Sequence, residues 1–146
     1  MYFFICDRID TPFILGIIKP KIYLPSILND TDRDYVIAHE KAHIKRLDYI
    51  WKPLGFLLLT VYWFNPLVWV AYSLFCKDIE LACDEKVIKE LGAEERADYA
   101  QSLLSCAVLK RKILSCPLAF GEIGIKERIK KALSYKKPLL WVLIVC

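Results

Sequence analysis

Pro53-Leu54-Gly55-Phe56-Leu57-Leu58-Leu59-Thr60-Val61-Tyr62-Trp63-Phe64-Asn65-Pro66-Leu67-Val68-Trp69-Val70-Ala71-Tyr72-Ser73-Leu74-Phe75-Cys76 is a run of 24 residues without a formal charge. As one helix, at about 1.5 Å per residue, it reaches roughly 36 Å, enough to cross a bilayer. Asn65-Pro66 falls near its middle, where proline removes a backbone donor and clashes with the preceding turn. Trp51, Tyr62, Trp63, Trp69 and Tyr72 are residue types that settle at a lipid–water boundary. A straight span and a hairpin folded at Asn65-Pro66 are different proteins. The residues on either side of the run decide between them.

Upstream lies His39-Glu40-Lys41-Ala42-His43, which holds the only two histidines in the chain. On a helix, residues i and i+4 share one face. Both imidazoles then reach one Zn2+ ion at about 2.0–2.1 Å. Glu40, beside the first ligand, is the candidate base that takes a proton from the attacking water. Asp30 or Thr31 is the expected cap of this helix, which is predicted from residue 31 to about 51. Tyr35, Ile37, Ala38, Ala42 and Ile44 give it a largely buried character. Histidines and a glutamate in such surroundings are costly without a metal or partners.

A catalytic zinc takes three protein ligands and keeps one open position. With no third histidine, the third ligand is a carboxylate or a thiolate. Downstream of the apolar run, Glu80-Leu81-Ala82-Cys83-Asp84 again offers two acids at i and i+4. Glu80 is the candidate ligand. Asp84 is the candidate partner of a ligand histidine's second ring nitrogen, fixing its tautomer. Cys83 falls off that face. A shared zinc requires His39, His43 and Glu80 to meet, whereas a straight span would hold them about 30 Å apart. The hairpin resolves this: each arm is then about 12 residues, or roughly 18 Å, too short to cross. The turn's backbone would need protein or water to satisfy it.

Composition agrees with membrane contact. Hydrophobic residues make up 56% of the 146, above the usual share for soluble domains. The mean hydropathy is +0.33. The net charge of +4 is modest and its basic residues do not interleave with aromatics, so direct nucleic-acid binding is not expected. Cys6, Cys76, Cys83, Cys106, Cys116 and Cys146 form no C-x-x-C pair and read as reduced, buried thiols in a cytosol-facing domain. Residues 2–6 and 13–24 read as strands, with Ile22-Tyr23-Leu24 a candidate edge for binding a peptide by β-augmentation. Helices are expected at about 94–109 and 124–135. Pro138 to Cys146 is apolar to the end and reads as the start of a cut-off transmembrane helix. Lys126, Arg128, Lys130, Lys131, Lys136 and Lys137 crowd before it, while Lys45, Arg46, Lys52 and Lys77 flank the hairpin. Positive charge stays inside, so the zinc site is expected to face the cytoplasm.

These motifs resemble the bacterial membrane zinc peptidases of the penicillinase-antirepressor type, the BlaR/MecR-like family. Thr11-Pro12-Phe13-Ile14-Leu15-Gly16 and Lys19-Pro20-Lys21-Ile22-Tyr23-Leu24-Pro25 are similar to its strand region. His39 through Asp48, Trp63-Phe64-Asn65-Pro66-Leu67-Val68-Trp69, Glu80 through Asp84 and Gly124-Ile125-Lys126-Glu127-Arg128-Ile129 are similar to its later signatures. The resemblance implies a gluzincin-type domain that cleaves a cytoplasmic regulatory protein, such as a transcriptional repressor, or itself. In such proteins an external penicillin-binding sensor follows the last membrane helix. β-Lactam sensing is not expected from these residues, nor are the N-terminal membrane helices of the family expected among them.

Arg128 is the candidate oxyanion-stabilising residue, by resemblance to an arginine of the related CAAX peptidases. Charge patterning alone equally allows a solvated basic helix face. Asp48 reads as either a support for the site or a helix-end residue. The expected architecture is α+β: a mainly helical gluzincin-type domain over 1–137, with a small N-terminal β-sheet and a re-entrant membrane hairpin at about 53–76. Residues 138–146 open the truncated transmembrane helix. Two other readings stay open, a CAAX-type membrane peptidase and a non-catalytic zinc-binding membrane signalling fragment.

Overall fold

The computed structural model describes residues 3–16, 18–111 and 121–135. Within them the chain is mainly helical with one small sheet, an α+β arrangement. The sheet is built from β1 (Phe3–Cys6), β2 (Phe13–Leu15) and β3 (Lys21–Pro25), in the order β1-β3-β2. β3 pairs parallel with β1 and antiparallel with β2. The strand region read over 13–24, with Lys19-Pro20-Lys21 interrupting it, is two strands. Gly16 at φ 106° makes the break, and a Cβ there would lie 2.9 Å from the Lys19 carbonyl oxygen. The edge predicted at Ile22-Tyr23-Leu24 is also corrected: β3 is the middle strand, and both of its sides are hydrogen-bonded.

Alternation along β3 points Ile22 and Leu24 to one face, where they meet Leu28 and the Val36 and Ile37 side chains. Tyr23 takes the other face and stacks between Phe4 and Phe13. The sheet thus holds α1 (Asp30–Lys45) by one side, leaving the opposite side of that helix for the rest of the molecule. Asn29, and not Asp30 or Thr31, stands at the N-cap, the helix starts at Asp30, one residue before the predicted start, and Asp30 and Asp32 complement its positive end. The predicted continuation to residue 51 does not occur. The Arg46 N–H closes on Ala42 O at 3.1 Å and the Leu47 N–H on Ile44 O at 3.1 Å. Leu47 then turns left-handed at φ 61°. That conformation costs a non-glycine residue about 1–2 kcal/mol. Its carbonyl accepts from Ile50 and Trp51, which starts α2 (Asp48–Val61) in a new direction.

The apolar run folds back on itself. α2 ends at Val61, and α3 (Pro66–Glu90) begins at Pro66. The Asn65 side chain accepts from the Leu67 N–H at 3.0 Å, and proline at the first helical position loses no needed donor. Phe56 and Tyr72 pack at 6.1 Å between ring centroids across the two arms. A Cβ on Gly55 would sit 3.2 Å from the Tyr72 ring and 3.3 Å from Phe75. Gly55→Leu is therefore expected to force the arms apart and to cost about 1–3 kcal/mol. Thermal unfolding in detergent should show a lower midpoint for Gly55→Leu than for Gly55→Ala. Among the described residues, no helix is long and apolar enough to cross a membrane. The hairpin tip nevertheless exposes Trp63 and Phe64 at 68% each and Leu67 at 73%.

α4 (Ala93–Arg111) and α5 (Gly121–Leu133) complete the helical layer. Ala42, Cys83, Val87, Ile88, Tyr99, Ala100 and Ala132 form one core joining α1, α3, α4 and α5. Cys6, Cys76, Cys83 and Cys106 are thiols rather than disulfides. The apolar segment expected to open a transmembrane helix, 138–146, and Lys136 and Lys137 before it lie outside the described residues.

Candidate metal centre

The helical spacing places the imidazoles of His39 and His43 one turn apart, both buried, with their rings edge to face at 4.7 Å. Because the hairpin returns the chain, α3 brings Glu80 to the same point. His39 Nε2 lies 3.1 Å from His43 Nε2 and 3.5 Å from Glu80 Oε2, and His43 Nε2 lies 3.6 Å from Glu80 Oε1. Two bonds of 2.0–2.1 Å meeting at a tetrahedral angle separate their ligand atoms by about 3.3 Å. The three donors have that spacing.

The outer ring nitrogens are both engaged. His39 Nδ1 is 3.1 Å from Asp84 Oδ1 and 3.0 Å from Tyr99 Oη. Tyr99 donates its own proton to Asp84 at 2.6 Å, so its oxygen is left to accept from His39. His43 Nδ1 donates to Asp48 Oδ2 at 2.9 Å. With both Nδ1 atoms donating, the two Nε2 lone pairs face each other beside a carboxylate. A cation between them satisfies all three groups, and the residues present fit a zinc ion. A second grouping, His43, Asp48 and Cys83, shares His43 through Nδ1. There the Cys83 thiol donates to Asp48 at 3.2 Å, and burial, followed by the Asp48 hydrogen bond, pushes its pKa up. A protonated thiol is a poor metal ligand, so this grouping supports His43 from behind.

Two cations grip Glu80 from opposite sides. Lys52 Nζ meets Oε1 at 2.7 Å and Arg128 Nη1 meets Oε2 at 3.1 Å. Arg128 also forks onto Asp84, with Nε at 2.6 Å from Oδ2 and Nη2 at 2.8 Å from Oδ1. Its Nη2 is 3.4 Å from His39 Nε2. The structure thus puts Arg128 against the site and not on a solvated face.

The electrostatics follow from these contacts. Burial raises the Asp84 pKa, but the Arg128 and His39 hydrogen bonds outweigh it and hold the carboxyl down to about 2. Glu80 is held well below its usual range: burial opposes this, while His39, Lys52 and Arg128 prevail. For His43, burial and then the His39 charge lower the pKa to about 4, which leaves a neutral imidazole at neutral pH. Burial also works against the His39 imidazolium, yet hydrogen bonds to Asp84 and Glu80 raise its pKa. Metal and proton therefore compete at His39. For Lys52, burial lowers the pKa, and Glu80 and more weakly Glu40 reverse this and raise it. Glu40 itself is buried on α1.

All six residues singled out in the sequence, His39, Glu40, His43, Glu80, Asp84 and Arg128, lie on the three elements that converge here. Asp48, which the sequence left between a support for the site and a helix-end residue, and Tyr99, which it did not single out, complete the arrangement. Asp48 had one signal, an acid five residues after His43; Tyr99 had none, since a tyrosine on a separate helix follows no spacing rule. Asp48→Asn keeps the shape but removes the charge that orients the His43 ring. It is expected to weaken zinc binding by about 10–100-fold, measured by competition with a chromogenic chelator.

The BlaR1 peptidase M56 family matches residues 1–132. The methicillin resistance MecR1 protein of Staphylococcus aureus strain Mu50 is 32% identical over 133 residues, covering 88% of this chain and 23% of that protein. The regulatory protein BlaR1 of Bacillus licheniformis is 33% identical over 142 residues, covering 90% of this chain and 24% of that protein. BlaR1 of Staphylococcus aureus is 26% identical over 137 residues, with 89% and 23% covered. The chain spans about a quarter of the length of these curated relatives.

Proposed function

The chain belongs to the BlaR1 peptidase M56 family, and from that membership we propose that it is a membrane-associated zinc endopeptidase of the antirepressor, signal-transducing type. Its substrate is a cytoplasmic regulatory protein, such as a repressor, or the protein itself. The observation that carries this reading is the convergence of His39 Nε2, His43 Nε2 and Glu80 on one point, with Glu40 beside it on α1.

His39, His43 and Glu80 would hold the zinc in a gluzincin-type set. Bound there, zinc supplies Lewis acidity toward a carbonyl and makes water acidic near neutral pH. The chain's own groups do the rest. Glu40 takes the proton of the attacking water and passes it to the leaving amine. Asp84 and Tyr99 hold the His39 ring, and Asp48 holds His43. Arg128 fixes Asp84 and Glu80 and lends positive charge beside the carbonyl.

The exposed aromatic tip of α2 and α3 is read as the re-entrant part of the molecule, dipping into lipid without crossing it. Residues 1–137 form the peptidase domain in this reading. The site then faces the cytoplasm, where a regulatory protein is met. A scaffold without catalysis has no need of the carboxylate at position 40, which favours the enzyme.

The test is proteolysis of β-casein by the full chain in detergent micelles. A zinc chelator should stop cleavage and stoichiometric zinc should restore it, with new N-termini appearing at fixed bonds. Stoichiometric zinc without any cleavage would favour the signalling fragment instead.

A further inference from the structure

We propose that Lys52 is a catalytic residue, whose ammonium donates to the scissile carbonyl oxygen as that oxygen becomes an oxyanion. The inference rests on the peptidase reading above and deepens it. In that reaction the water oxygen bonds to the carbonyl carbon, and the carbonyl π pair moves onto oxygen. Glu40 takes one water proton. On collapse the pair returns, the C–N bond breaks, and the amine leaves with the proton from Glu40. Between these events a full negative charge sits on oxygen, and a positioned donor there is worth more than any other single group.

Both histidines direct Nε2 lone pairs inward and use their N–H groups outward, on Asp84, Tyr99 and Asp48. The Tyr99 hydroxyl is given to Asp84. Arg128 is pinned, with Nε and Nη2 on Asp84 and Nη1 on Glu80, and its side chain is 13% exposed. Lys52 differs in each respect. It arrives from α2, on the Oε1 side of Glu80, across the carboxylate from Arg128. Its side chain is 35% exposed, so it stands at the open edge of the site. An ammonium carries three donors on a flexible stem and can turn from one acceptor to another. A cation bound by His39, His43 and Glu80 shares the Glu80 charge that Lys52 neutralises, and this loosens the ammonium toward substrate. Gly55, three residues on, lets α2 lie close against α3 and brings Lys52 within reach.

The test uses the full chain in detergent micelles with Lys52→Met, Lys52→Arg and Glu40→Gln. Zinc content, β-casein turnover and inhibitor affinity are measured. The inhibitors are a phosphonamidate peptide, whose tetrahedral anion copies the oxyanion, and a hydroxamate peptide of the same sequence, which carries no such group. Lys52→Met should keep stoichiometric zinc and lose about 10²–10³-fold in kcat with KM little changed. Phosphonamidate affinity should fall by a similar factor while hydroxamate affinity holds within about threefold, and Lys52→Arg should recover most of both losses. Loss of zinc, or equal weakening of both inhibitors, would make Lys52 a structural partner of Glu80 and overturn the proposal. Near wild-type turnover in Lys52→Met beside an inactive Glu40→Gln overturns the role of Lys52 alone. Equal turnover in wild type and Glu40→Gln overturns the peptidase reading and this proposal with it.

Discussion

Glu40→Gln is expected to keep one zinc per chain and to lose about 10²–10⁴-fold in peptide-bond cleavage. The amide fills the same volume at a buried position on α1, so the helix and the donor set next to it stay in place. What the variant loses is a group that accepts a proton at neutral pH. Zinc content by atomic emission and β-casein turnover separate the two properties in one preparation. Loss of zinc together with activity would mean that Glu40 builds the site and does not act in it. Retention of both would remove Glu40 from the chemistry altogether.

Glu80→Ala should have the larger structural consequence. It deletes one of three donors and leaves Lys52 and Arg128, previously 2.7 and 3.1 Å from its oxygens, facing two imidazoles with no carboxylate between them. Charge works in the same direction as ligand count: a site that gave a dication two neutral donors and one anion now gives it two neutral donors and two nearby cations. Zinc affinity is expected to drop by at least about 10³-fold, enough for the metal to leave on dialysis, and turnover should vanish with it. Glu80→Gln, which keeps a weak oxygen donor, should fall between. Zinc retained at full occupancy in Glu80→Ala would require another third donor and would sever the link between the folded hairpin and the metal.

Much of this site follows from helical periodicity. His39 with His43, and Glu80 with Asp84, are visible because both pairs sit on uninterrupted helix, where four residues make one turn. Asp48 could be named but not placed by the same logic. It lies beyond the left-handed residue Leu47, where phase counted from His43 no longer applies, and no glycine, asparagine or proline marks that corner. The helix predicted to residue 51 ran past the break for the same reason. Tyr99 and Lys52 reach the site from separate helices, and a single sequence carries no signal for such meetings. The sheet shows a related limit. Ile22 and Leu24 were recognisable as strand residues, but parallel pairing to residues 3–6 is non-local, and it turned a presumed edge into the centre. The Asn65-Pro66 break was readable because a cap and a proline state a helix start locally.

The fork of Arg128 across Asp84 and Glu80 also sets an order of assembly. Glu40 and its histidines leave the ribosome first, the two acids some forty residues later, and Arg128 a further forty-four after Asp84. Until α5 docks, Asp84 lacks the guanidinium that offsets its charge, and the His39 ring rests on Asp84 and Tyr99 alone. In a growing chain the donor set therefore waits for its guanidinium until the last described helix has formed.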